Sequence, residues 1–248
     1  MPGTLYLIPN TLGPHDASDS LAHIIPVEVQ QITAKLDYFI AENAKTTRAF
    51  LKLIDTSNTL AKPIQEIRIA ELDVNTEAKA LPALLAPLLA GQDGGLISEA
   101  GVPAVADPGA NLVRLAHAQG IQVRPLVGPS SLLLAVMASG LSGQNFAFNG
   151  YLPIDAAARI KRIRQLEERS RAEKQTQFFI ETPYRNTAML ETLAATCQPG
   201  TLISIATDLT LPSEKICTQS AAKWKTDLAN GKAPDFHKKP TVFLLLAE

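Results

Sequence analysis

Two cysteines, Cys197 and Cys217, stand in 248 residues. Their number and separation exclude a disulfide scaffold and a cysteine-based metal knot, and point to a reducing, cytoplasmic setting. The histidines, His15, His23, His117 and His237, are scattered without ligand spacing, so no metal site is expected. Aromatic residues make up 5% of the chain, too few to line a broad aromatic trough, and the net charge of −1 supplies no global field for nucleic acid. No apolar run approaches the roughly 20 residues of a membrane span, and the N-terminal MPGTLYLIPN lacks the charged start of a signal peptide. The dinucleotide fingerprint G-x-G-x-x-G, the phosphate loop G-x-x-x-x-G-K-[ST] and the hydrolase elbow G-x-S-x-G are all missing.

What is there is a run of strand–loop–helix units. Leu96 to Ser131 holds two in succession, LISEAGVPAVADPGANLVRLAHAQG and IQVRPLVGPSSLLLAVMASG, each an apolar run stopped by a loop of small residues and prolines. Asp107 reads as an N-cap, with Pro108 at the first helical position and Gly120 closing the helix; the second helix starts near Pro129 and ends at Gly140. Thr4 to Ile8, Tyr38 to Ala41, Leu96 to Ser98 and Val123 to Val127 read as strands, the first and the last two buried. Helices are expected over Val27 to Ala34 and Thr46 to Ile54, and over the leucine stripe Leu81, Leu84, Leu85, Leu88, Leu89, read as core and kinked by Pro87. Beyond Gly140 come a strand from Phe146 to Leu152, a long charged helix from about Asp155 to Glu173, and a strand from Gln177 to Glu181. A helix Tyr184 to Thr196 and a strand Leu202 to Thr207 follow, then a strand and short helix within Ile216 to Lys225, and a last strand Thr241 to Ala247. The pattern predicts two α/β domains, 1–125 and 126–248.

Loops of this kind gather at the carboxyl edge of a parallel sheet, where open α/β folds bind ligands. Ser98 to Gly109 is the strongest candidate. Gly101 admits a close backbone approach, Pro103 and Pro108 stiffen the loop, and Glu99 and Asp107 are acceptors for an ammonium or hydroxyl group. Its plainer reading is an ordinary βα loop. Gly128-Pro129-Ser130-Ser131 reads equally as a helix cap, and Glu181-Thr182-Pro183-Tyr184-Arg185 as a helix start, although it offers a flat ring and a guanidinium fork. Arg159, Lys161, Arg162, Arg164, Arg169, Arg171 and Lys174 form the one dense basic run, by default a solvated helix face and otherwise a phosphate-contacting one that His237, Lys238 and Lys239 would extend.

The motifs LYLIPNTLG, AENAKTTRAFL, ISEAGVPAVADPG, VRPLVGPSS, FNGYLP, ETPYRN and ATDLT follow one another in order from the first strand to about residue 210. In this the chain resembles the tetrapyrrole-methylase superfamily of S-adenosylmethionine-dependent methyltransferases, and within it the branch that methylates cytidine ribose 2′-hydroxyls of small-subunit ribosomal RNA. The resemblance implies two α/β domains with S-adenosylmethionine in the cleft between them. It maps the cofactor positions onto Pro9, Ser98, Glu99, Ala100, Gly101, Val102, Pro103, Ser130 and Ser131, and onto Tyr151, Leu152, Thr182, Pro183, Tyr184, Ala206, Thr207, Asp208 and Pro240. It further implies a homodimer, and ribosomal RNA or the small ribosomal subunit as partner. The chain departs from the branch at Asn43-Ala44-Lys45, Glu99 to Pro103 and Thr207 to Thr210, where the branch carries Asp-Thr-Arg, Asp-Ala-Gly-Thr-Pro and Arg-Glu-Leu-Thr.

Methyl transfer to a hydroxyl needs in-line positioning and a group that takes the proton. Glu42, Lys45 and Asp107 are the candidates, because their loops belong to the same sheet edge. A methylase of a tetrapyrrole or other small molecule, and a non-catalytic cofactor-binding module, share the expected fold and are the rival readings.

Overall fold

A computed structural model describes residues 1–14, 21–55 and 59–247; His15 lies outside the described residues. The chain divides into two compact units, Met1–Ser130 and Ser131–Glu248.

The first unit carries β1 (Thr4–Ile8), α1 (Val27–Ala34), β2 (Tyr38–Ala41), α2 (Ala44–Ile54), β3 (Arg68–Glu71), α3 (Leu81–Leu89), β4 (Gly94–Ile97), α4 (Ala110–Ala118) and β5 (Gln122–Pro125). Its sheet runs β3-β2-β4-β1-β5, every neighbour parallel. Period-two alternation sorts the buried side chains to two faces. Ile8, Phe39 and Ile97 pack with Val29 of α1 and Phe50 and Leu51 of α2. Leu5, Tyr38, Ile40 and Leu96 pack with Leu85 and Leu88 of α3 and Leu112 of α4. The unit is thus wound on both faces, and all its strands end on one edge.

The expected elements recur with informative differences. β4 starts at Gly94 rather than Leu96, and glycine is a poor strand former; a Cβ at Gly95 would lie 2.4 Å from Ile8 Cδ1 and 3.0 Å from Phe39 Cδ1, so the packed neighbours demand it. β5 is not buried: it is the sheet's edge strand, with Gln122, Arg124 and Pro125 exposed and Val127 beyond it 73% exposed. The leucine stripe buries Leu81, Leu85 and Leu88, leaves Leu84 half-buried and exposes Leu89; the helix runs through Pro87 and ends two residues later. Gly120 does close α4: its N–H donates to His117 O (3.1 Å) and that of Ile121 to Ala116 O (3.0 Å), with Gly120 left-handed at φ +71°. The short edge strand β3 escapes the sequence pattern.

The second unit holds α5 (Ser131–Ser139), β6 (Phe146–Tyr151), α6 (Ala156–Glu173), β7 (Thr176–Ile180), α7 (Asn186–Thr196), β8 (Leu202–Thr207), β9 (Lys215–Ser220), α8 (Ala221–Ala229) and β10 (Thr241–Leu246). Its sheet is mixed, in the order β6-β7-β10-β8-β9, with only β6 and β7 parallel. Antiparallel pairing explains why the proline-rich crossovers thin out after Gly140. The main core joins Ile163 and Leu166 of α6 and Leu190 and Leu193 of α7 to Phe179, Ile205, Phe243 and Trp224, and the Trp224 indole N–H donates to Ile203 O (2.9 Å). α5 covers the opposite face, tied by the Thr218 hydroxyl to Ser139 O (2.7 Å). Helix α6 is capped by Asp155, whose carboxylate accepts from the Ala158 N–H (2.8 Å). The stretch expected as one helix from Tyr184 opens as a 3₁₀ turn, Pro183–Arg185, before α7. Among the described residues no helix is long and apolar enough to cross a membrane.

Candidate active site

The carboxyl edge of the first sheet gathers Pro9 and Asn10 after β1, Glu42 and Asn43 after β2, and Ser98 and Glu99 after β4. Asn10 fastens the first loop to the third. Its N–H donates to Gly101 O (2.8 Å), its side-chain amide donates to Ser98 O (3.1 Å) and Glu99 O (3.0 Å), and its carbonyl accepts from the Thr11 N–H (2.8 Å). Glu42 and Asn43 fasten the second: the Glu99 N–H donates to Glu42 Oε2 (3.0 Å), and Asn43 Nδ2 donates to Glu99 Oε1 (2.8 Å). Asn43 also caps α2, accepting from the Lys45 N–H (2.9 Å) and the Thr46 N–H (3.4 Å), which is why that helix begins at Ala44 and not Thr46. Neither asparagine is among the expected site residues; their only sequence signal is their place at strand ends.

Asp107 does not cap α4. The helix begins at Ala110 behind Gly109, and the loop before it is contorted, with Ala104 and Ala106 both left-handed at φ +65° and +66°. Two alanines there cost of order 1 kcal/mol each, and such strain collects where a site must be shaped. Relieved of capping, Asp107 is half-buried beside two further acids. Its burial and the Glu42 charge, opposed by a hydrogen bond from Ser98 and aided by Glu99, push its pKa up to about 6. A recess next to it is lined by Leu72, Asp73, Thr76, Leu81, Pro108 and Asn111. Lys45 sits exposed in the first turn of α2, and its side chain makes no hydrogen bond or ion pair among the described residues, so it is not joined to Glu42 or Asp107.

Further along the edge, a Cβ at Gly128 would lie 2.3 Å from Cβ and Cγ of Pro9, so the loops after β1 and β5 touch backbone to ring. Ser130 ends the first unit and Ser131 opens α5 of the second.

In the second unit the expected residues fall into two groups. Glu181 is buried after β7; its Oε1 accepts from the Thr182 N–H (2.6 Å) and from Arg185 Nε (3.0 Å) and Nη2 (2.5 Å), while Oε2 has no partner among the described residues. These bonds pin the turn carrying Thr182, Pro183 and Tyr184. Asp208, left-handed at φ +51° after β8, donates its N–H to Pro240 O (3.0 Å), and its carboxylate pairs with Lys239 Nζ (3.1 Å) and accepts from Ser213 Oγ (2.8 Å). Thr207 Oγ1 lies 3.2 Å from Thr241 Oγ1, so Ala206, Thr207, Asp208 and Pro240 form one cluster. Lys239 carries no local sequence signal, being paired across 31 residues of chain. Tyr151 ends β6, one residue short of the expected strand, and is exposed; Leu152 follows it in the core. Three members of the basic run are engaged within the chain: Arg159 Nη1 donates to Ile154 O (3.0 Å), Arg162 Nη2 to Asn149 Oδ1 (3.0 Å), and Arg169 pairs with Glu173 (3.1 Å). Among the described residues no three metal-ligating side chains gather.

The sequence profile of the tetrapyrrole (corrin/porphyrin) methylases matches residues 22–223. A protein of Xylella fastidiosa named ribosomal RNA small subunit methyltransferase I is 30% identical over 229 residues, 92% of this chain and 77% of that protein. Its namesake in Vibrio cholerae is 30% identical over 242 residues, 98% of this chain and 76% of its own. Among solved structures, the methyltransferase CobJ matches with a TM-score of 0.61 at 19% identity, covering 99% of this chain and 94% of that one. A cobalt precorrin-4 methyltransferase matches with a TM-score of 0.57 at 14% identity, over 98% and 94%. The two mixed-layer units, the site edge without a dinucleotide fingerprint and these matches agree: the chain is a methyltransferase and belongs to the tetrapyrrole (corrin/porphyrin) methylase family.

Proposed function

We propose that this methyltransferase transfers a methyl group from S-adenosylmethionine to a ribose 2′-hydroxyl of small-subunit ribosomal RNA. The observation that carries the reading is Asp107, an acid held near pKa 6 beside Glu42 and Glu99 in a chain matched along nearly its whole length by enzymes named for ribosomal RNA. The residues present fit the donor. Carboxylates of Glu42 and Glu99 on the sheet edge suit a cation bearing an ammonium and ribose hydroxyls, and Gly128, without a Cβ, lets its loop pass close against the Pro9 ring. Pro9, Ser98 to Pro103 and Ser130 from the first unit would hold it, with Ser131, Tyr151, Leu152, the Thr182–Pro183 backbone, Ala206 to Asp208 and Pro240 from the second.

When bound, S-adenosylmethionine supplies an electrophilic methyl group and leaves as a neutral thioether. The chain's own part is to orient the acceptor and take its proton. Above pH 6 the Asp107 carboxylate is ionised and accepts the hydroxyl proton as the oxygen bonds to carbon, while Glu42 keeps that carboxylate basic. Lys45, exposed and apart from these acids, is left out of the proton path. The reading carries with it a cytoplasmic homodimer.

The test is transfer of labelled methyl from S-adenosylmethionine into small ribosomal subunits and soluble extract from cells lacking the protein. Ribonuclease-sensitive label at one 2′-O-methylated nucleotide supports the proposal. Label in a ribonuclease-resistant small molecule overturns it, as does cofactor binding with no label anywhere.

A further inference from the structure

We propose that Tyr184, His237 and Lys238 form a stacking platform for an unpaired nucleotide of the RNA substrate, an inference that rests on the ribosomal RNA reading above. Tyr184 is 72% exposed, more than Tyr151 at 59%, whereas Tyr38 is buried and Tyr6 half-buried. A single exposed aromatic is unremarked in itself; this one is held rigidly and furnished with neighbours. The His237 ring lies 6.3 Å away, nearly perpendicular at 80°, and Lys238 Nζ sits 5.8 Å from the ring centroid.

Two segments separated by about fifty residues are locked together to make this arrangement. Glu181 pins Arg185 and the Thr182 N–H on one side of the turn. The Lys238 N–H donates to Pro183 O (3.1 Å), and Asn186, fully buried, donates from Nδ2 to Phe236 O (2.9 Å) and Lys239 O (2.8 Å). Lys238 itself is left-handed at φ +61°, a conformation a lysine adopts only where its surroundings impose it.

The charges are equally selective. Arg185 is neutralised by Glu181 and Lys239 by Asp208, so neither is available to a ligand without breaking a pair. Lys238 pairs with no carboxylate among the described residues, and Asp235, the acid of this loop, is engaged at the His237 N–H (3.0 Å). An exposed ring with an unneutralised ammonium beside it matches a base with its phosphate. Only unpaired bases present a free face, so the partner is single-stranded. Tyr184, placed by family resemblance in the cofactor lining, is thereby reassigned to the substrate.

The test titrates a fluorescein-labelled ten-nucleotide oligocytidylate by anisotropy against the full-length protein and its Tyr184→Ala, Tyr184→Phe and Lys238→Gln variants. S-adenosylmethionine affinity and thermal midpoint are measured in parallel. Tyr184→Ala is expected to weaken RNA binding by roughly five- to a hundredfold and Tyr184→Phe to restore most of it. Lys238→Gln is expected to reduce the salt slope by about 0.7, one phosphate contact on a single strand. Cofactor affinity should follow neither change. Undiminished RNA binding by Tyr184→Ala, or a loss confined to S-adenosylmethionine, overturns the platform. If the parent protein labels ribosomal RNA in the transfer assay, the ribosomal reading survives that failure; if it does not, both fall together.

Discussion

The candidate loops of the two units handle negative charge in opposite ways. On the first sheet's edge, acids crowd one another: Glu42, Glu99 and Asp107 share one neighbourhood with no ion-pair partner among the described residues, and Asp107 responds by holding its proton to about pH 6. In the second unit the two buried acids of the candidate loops each have a cation, Arg185 for Glu181 and Lys239 for Asp208. An unneutralised acid cluster is a poor way to hold a loop and a good way to attract a cation and move a proton. A neutralised one does the reverse, fixing the turn at Thr182 and holding Asp208 in a left-handed conformation that local preference does not favour. The contrast supports the proposal that chemistry belongs to the first unit and positioning to the second.

The sharpest way to break that assignment is Asp107→Asn. If this acid takes the acceptor's proton, turnover should fall by about 10²–10⁴-fold with little change in cofactor affinity, read from kcat and from calorimetric titration with S-adenosylmethionine. Retention of full turnover would remove the first unit's claim to the proton. Glu181→Ala tests the other half. Stripping a buried carboxylate from Arg185 and from the Thr182 N–H should lower unfolding free energy by about 3 kcal/mol, measured in urea, because it leaves a half-buried guanidinium without its partner. A loss below about 1 kcal/mol would show the turn to be held by other means.

How far the sequence reveals this depends on the range of the interaction. Elements governed by period and punctuation are legible: α1 and β2 have the expected limits, and Asp155 caps α6 as its position ahead of a long charged run suggests. The candidate loops are legible too, because Gly and Pro after an apolar run mark a strand end. What each acid does inside them is not. Asp-Pro before a helical pattern is a cap signature, yet the contorted 104–109 segment delays α4 to Ala110 and frees Asp107 for another role. Edge position is equally invisible: β5 reads as apolar enough to be buried, and only the strand order exposes it. Lys239 and Asn186 act across tens of residues, and nothing nearby in the chain announces them.

Smaller effects refine the contrast through pH. Asp107 binds its proton more tightly folded than unfolded, so the contribution from this group is fully present below its ordinary pKa of 3.8 and is lost as pH rises through about 6. Above that pH, Asp107→Asn should therefore stabilise the protein even as it inactivates it, by about 1 kcal/mol once solvent screening of a half-exposed group is allowed for. Thermal melts at pH 3.5 and pH 8 should show most of the variant's advantage at the higher value and little at the lower; an equal effect at both would separate the stability change from ionisation. Glu42→Gln is the finest probe. The amide keeps an oxygen to accept the Glu99 N–H but removes the second-largest cause of the Asp107 shift. The acid limb of kcat against pH should then move to lower pH by less than about one unit, since burial, the larger cause, is untouched. A limb that stays in place would mean that burial alone tunes Asp107, and that the crowding of acids serves the cationic donor instead.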